Sequence, residues 1–92
     1  MKVSEITIAD VTEYLRLDEE DPMITPILDS AKGFIRSYTG LTDEEMDEHD
    51  EFFGVVMVLC QDMYDNRVLY VNPNNLNRMV DTTLGMHRKN LL

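Results

Sequence analysis

Between Phe52 and Tyr64 the chain is apolar at Phe52, Phe53, Val55, Val56, Met57, Val58, Leu59, Cys60, Met63 and Tyr64. A helix that is apolar on nearly every side is one that neighbours contact from several directions. Three valines also suit a strand. The length of the run with its polar continuation, about 15 residues, and the lack of turn residues after Gly54 favour a helix. This predicts a central helix over about 50–66. Upstream, Ile24, Ile27, Leu28, Ala31, Phe34, Ile35 and Tyr38 recur with the cleanest helical period in the chain and predict a helix over about 22–39. Ile8, Val11 and Leu15 predict a short amphipathic helix over about 8–17. Leu76, Met79, Val80, Thr83 and Leu84 predict a final one.

The punctuation between these runs agrees. Thr7 is a good N-cap, with Asp10 three residues on. Asp18-Glu19-Glu20-Asp21-Pro22 ends the first helix and opens the second, with Asp21 as cap and Pro22 in the first turn. Pro26 falls within about one turn of the start, where its missing N–H costs little. Gly33 lies mid-helix and costs about 1 kcal/mol relative to alanine, and close approach of another helix is one reason to keep it. Gly40 suits a left-handed terminator. Thr42 followed by Glu45 has the form of a capping box. The acid-rich stretch 43–51 that follows holds Met46 as its one clear apolar residue, and reads either as the solvated start of helix three or as a separate short turn. Val68-Leu69-Tyr70-Val71 reads as extended and Asn72-Pro73-Asn74-Asn75 as a turn. Residues 86–92 read as a basic tail with an apolar tip. The expectation is an all-α fold, a compact bundle of four to five helices around the central apolar one, forming a single domain over 1–92.

Composition narrows the function classes. With 92 residues, 43% of them apolar, the chain is suited to one modest core rather than to disorder. No apolar run approaches the ~18 residues of a membrane span. MKVSEITIAD carries Glu5 and Asp10 and has no uninterrupted apolar stretch, so no signal peptide is expected and the protein is expected in a cytosol. Cys60 reads as a small core residue and the seven methionines as core filler. The formal net charge is −10. Residues 1–66 hold 17 acids and 4 bases, whereas residues 67–92 hold one acid, Asp81, and 4 bases, Arg67, Arg78, Arg88 and Lys89. An acidic body of this kind does not wrap DNA through phosphate contacts, which rely on Lys and Arg. The asymmetry suits head-to-tail packing of copies, while acids spread for solubility are the simpler explanation.

Candidate chemistry is sparse. There is no Gly-rich phosphate loop and no Ser or Cys with a base beside it. Asp18 to Asp21 lacks the alternating acids and central glycine of a calcium loop. His49 stands among Asp47, Glu48, Asp50 and Glu51, and Glu45, four residues earlier, is the one neighbour suited to share a metal with it; an exposed acidic helix face is the commoner arrangement. No second histidine lies near in sequence, and His87 reads as solvated. The expectation is no enzyme activity, no metal and no cofactor.

The ordered elements resemble the small head–tail connector family of tailed phages, also described as head-completion or DNA-packaging adaptors. The first helix of that family opens with a phrase similar to MKVSEITIADVTEYLRLD, before an acidic break. Its second helix is similar to ILDSAKGFIRSYTG. Its central helix ends in Tyr-x-x-Arg, here Tyr64-Asp65-Asn66-Arg67, and its last helix is similar to LNRMVDTTLGMHR. The likeness covers nearly the whole chain and rests on the four pieces in order. It implies a structural subunit, assembled in the bacterial host cytoplasm and located in the neck of the virion. Copies form a ring under the portal, of about twelve from the portal's symmetry. The ring extends the DNA channel and docks neck or tail-completion proteins. DNA passes without specific binding, and no membrane is involved. Tyr64 and Arg67 are then structural or subunit-interface residues. Arg78, Arg88 and Lys89 are interface candidates. Asp43, Glu44, Glu45, Asp47 and Glu48 are lumen-facing or partner-facing acids. The block 43–51 is denser in acids than the family pattern, which leaves open where helix three begins. Three other readings compete: an acidic DNA mimic that blocks a host DNA-binding protein, a small metal-dependent enzyme on Glu45 and His49, and a helical module that forms no ring.

Overall fold

A computed structural model describes residues 2–71 and 78–87, and among these every regular element is helical. A 3-10 turn at Val3–Glu5 is followed by α1 (Ile8–Tyr14), α2 (Ile24–Thr39), α3 (Asp43–Met46), α4 (Phe52–Asn66) and α5 (Arg78–His87). The expected all-α class and central helix are both present.

The hydrophobic pattern explains the packing. α4 buries Phe52, Val55, Val56, Met57, Leu59, Cys60 and Met63, which leaves few of its sides polar. α2 packs along it through Ile24, Ile27, Leu28, Ala31 and Ile35. α1 adds Val11, and α5 lies against α2 and α4 with Val80 and Leu84 fully buried. Val3, the first residue of the 3-10 turn, and Ile6, just after it, close the core next to α3 and α4. Cys60 is wholly enclosed, and burial pushes its thiol up to about 12, so it is an inert core residue.

The caps form as their residue types dictate. Thr7 Oγ1 accepts the Asp10 N–H at 3.2 Å while Asp10 Oδ2 accepts the Thr7 N–H at 2.8 Å. Thr42 and Glu45 repeat the exchange at 3.2 and 3.0 Å. Gly40 ends α2 at φ 75°, its N–H on the Arg36 carbonyl.

Several boundaries differ from the expectation. α1 stops at Tyr14, not near residue 17, because Arg16 turns the chain at φ 57° and the Leu17 N–H returns to the Thr12 carbonyl. α2 starts at Ile24, not 22: Asp21 Oδ1 accepts the Met23 N–H at 2.9 Å and holds Pro22 and Met23 outside the helix. Of the two readings of the acidic block, the solvated start of helix three is not what forms; the block is a separate short element. It makes α3, anchored by the buried Met46, then a turn, and α4 begins at Phe52. Within 68–71, read as extended, the chain bends at Leu69 and Tyr70. α5 continues to His87, so Met86 and His87 are helical and the tail does not begin at 86. The expected turn at Asn72–Asn75, together with Leu76, Arg88 and Lys89, lies outside the described residues.

Among the described residues no close helix approach accounts for Gly33. A Cβ built there meets nothing within 4 Å. Gly33→Ala is therefore expected to raise stability by about 0.5–1 kcal/mol, through the lower backbone entropy of alanine in the unfolded chain. Thermal unfolding checks this; a drop in melting temperature would contradict the open surroundings.

Candidate functional site

Polar side chains gather at the two ends of α4. At its C-terminal end Arg67 takes the left-handed cap conformation, φ 55°, with its N–H on the Met63 and Tyr64 carbonyls. That turn folds the guanidinium back over the Tyr64 ring, 4.5 Å from its centroid. Tyr64 donates its hydroxyl to Asp21 Oδ2 at 3.1 Å, and Arg67 Nη1 stands 3.6 Å from the same oxygen. Asp21 therefore joins the start of α2 to the end of α4. Its carboxyl is held below the ordinary 3.8, chiefly by the Met23 N–H and further by Tyr64 and Arg67. The Arg67 side chain is 62% exposed, so its ion pair is weak and one face of the guanidinium stays open to a second acid.

At the N-terminal end the two histidines of the chain meet. The His49 and His87 ring centroids are 4.0 Å apart, and both rings lie against Phe52, at 5.3 and 5.1 Å. His87 Nε2 contacts Glu51 Oε1 at 2.5 Å, and His49 Nδ1 is 3.9 Å from that oxygen. The Glu51 carboxyl is held below its usual value, first by its own backbone N–H and then by His87 and His49. The expectation that His87 is simply solvated is wrong: α5 carries it onto the turn before α4, where its side chain is 19% exposed. Glu45 is instead occupied with the Thr42 cap.

The acids proposed as one lumen or partner face have separate duties. Asp43 pairs with Arg36 Nε at 2.9 Å. Asp47 accepts the Ser4 hydroxyl at 2.7 Å and the Ser4 N–H at 2.9 Å, and Ser4 is what chiefly lowers its carboxyl. Glu45 caps α3. Glu44 and Glu48 are exposed. These pairs line a shallow cleft of about 230 Å³ with Val3, Lys32 and Met46. Arg78 is exposed at the start of α5, and Asp81, one turn on, accepts the Tyr38 hydroxyl at 2.8 Å.

Asp21 and Asp47 set an acid limit. Both have folded values depressed below 3.8, so the stability each contributes is present above that pH and is lost as pH falls through the lower folded value. Helicity followed by circular dichroism is expected to hold at neutral pH and fall below about pH 4. Asp47→Asn is expected to flatten part of that fall.

Sequence reading missed Asp21 as the partner of Tyr64, Ser4 as the partner of Asp47, and the meeting of the histidines. Each partner lies 36 to 43 residues away, and no local pattern carries that information. No described helix is long and apolar enough to cross a membrane. Comparison of the chain with protein-family models, with curated proteins and with solved structures gave no match.

Proposed function

We propose that this chain is a structural subunit of a tailed-phage head–tail connector, a ring beneath the portal that extends the DNA channel and docks neck or tail proteins. One observation carries the reading: Tyr64 and Arg67 of the Tyr-x-x-Arg segment meet Asp21, in the acidic break between the first two helices, so that segment ties the end of α4 to the start of α2.

In this reading the role is assembly, not chemistry. Arg67 keeps one face of its guanidinium open beside Asp21, suited to an acid on the next subunit, and Arg78 offers a second cation. The acidic body, with Glu44 and Glu48 exposed, carries no attraction for phosphate and lets DNA slide by. The DNA-mimic alternative fits less well, because Asp43, Glu45 and Asp47 are committed to bonds within the chain and not arrayed for a partner.

Native mass spectrometry of the purified protein tests this, at low and high concentration and with a portal protein from the same genome. A discrete high-order ring, alone or on the portal, is the expected result. Arg67→Glu and Arg78→Glu are expected to weaken assembly at unchanged helicity. A monomer that ignores the portal under all conditions overturns the reading.

A further inference from the structure

We propose that His49, Glu51 and His87 form a binding site for a divalent transition-metal ion of the zinc class. One ligand atom from each of the three lies within 4.8 Å of the others. Two come from the turn before α4 and the third from the last residue of α5.

Two imidazoles and one carboxylate are a donor set that zinc takes readily, whereas calcium and magnesium take oxygen. The three residues are also placed for it. The histidines are the only two in the chain, and they converge from 38 positions apart, which no element of secondary structure requires. Phe52 is fully buried and braces both rings, so the imidazoles stand on a rigid base. Glu51, about half exposed, is free to adjust. Tetrahedral bonds of about 2.0–2.2 Å place ligand atoms about 3.3–3.6 Å apart. The His87–Glu51 contact at 2.5 Å opens toward that spacing and the His49–Glu51 distance of 3.9 Å closes toward it, each by roughly 1 Å or less. His49 Nδ1 is beyond hydrogen-bond reach of Glu51, so its ring is held beside His87 and Phe52 by packing and keeps its ring nitrogen uncommitted to that carboxylate. Solvent supplies the fourth ligand on the exposed side. Glu48 and Asp50, exposed and on either side of His49 in the chain, add negative charge that attracts a cation.

The bound ion ties α5 to the turn before α4, and so acts as a clip on the C-terminal helix. The site does not depend on the connector reading, and its test is separate. Tag-free protein is titrated with zinc chloride by isothermal titration calorimetry, and cobalt(II) is added as an optical probe. One ion per chain is expected, with a tetrahedral cobalt spectrum that needs no variant to interpret. His49→Ala, His87→Ala and Glu51→Gln are each expected to weaken binding at least tenfold, with helicity checked by circular dichroism. Zinc is expected to raise the melting temperature of the unaltered protein and not that of the double histidine variant. The proposal is overturned by an octahedral, aqua-like cobalt spectrum, by unchanged affinity in the variants, or by displacement of zinc with excess magnesium.

Discussion

Phe52→Ala is expected to destabilise the protein by about 3–5 kcal/mol, the loss typical of a large aromatic removed from a closed core. Phe52 has no exposed surface and stands in the first turn of α4, the helix around which the others are arranged. Its ring also supports His49 and His87. Truncation removes the buried aromatic surface, leaves a cavity at the end of the central helix, and frees two imidazoles at once. A domain of this size has a total stability of about 5–14 kcal/mol, so the loss is a large fraction of it. Urea unfolding measures the difference. Phe52→Leu, which keeps most of the volume, is expected to lose much less. A loss below about 1 kcal/mol for the alanine variant would mean that the site collapses freely, contrary to the packing described.

Leu84→Ala is expected to cost about 2–5 kcal/mol, because Leu84 is fully enclosed between α5 and the α2–α4 pair. Met86→Ala, two positions on and 72% exposed, is expected to change stability by less than about 0.5 kcal/mol. The contrast separates a docked fifth helix from a loosely attached end. If both variants unfold at the same urea concentration as the unaltered protein, α5 contributes nothing to the core.

Helical period was enough to find α2, whereas α4, apolar on nearly every side and rich in valine, was legible from its length and from the lack of turn residues after Gly54. The capping residues of α1 and α3 were legible for a similar reason: Thr7 with Asp10, and Thr42 with Glu45, satisfy backbone groups within one turn and need nothing from the rest of the fold. The end of α1 was not legible. Arg16 adopts a left-handed conformation without being glycine or asparagine, so the sequence carries no mark of the break. The acidic block was ambiguous because its acids look alike in sequence. Their different partners, Arg36, Ser4 and the Thr42 backbone, are set by tertiary placement. At the candidate site the sequence pointed to His49 and offered it Glu45, four residues back, as a helix face would. The chain instead brings Glu51 and His87 to it, and His87 arrives from another helix.

Four side-chain ties, Ser4 to Asp47, Tyr64 to Asp21, Tyr38 to Asp81 and His87 to Glu51, each bridge 36 to 43 residues. The helices between them nucleate locally on the sub-microsecond scale. The ties, by contrast, close loops of several helices and bear the entropy of that closure. They therefore belong to the late side of the folding barrier, after α2 and α4 have met. Interactions absent from the transition state govern how fast a protein opens, not how fast it closes. These bonds thus act mainly as latches: whatever each adds to the stability of the native state appears as slower opening and not as faster folding.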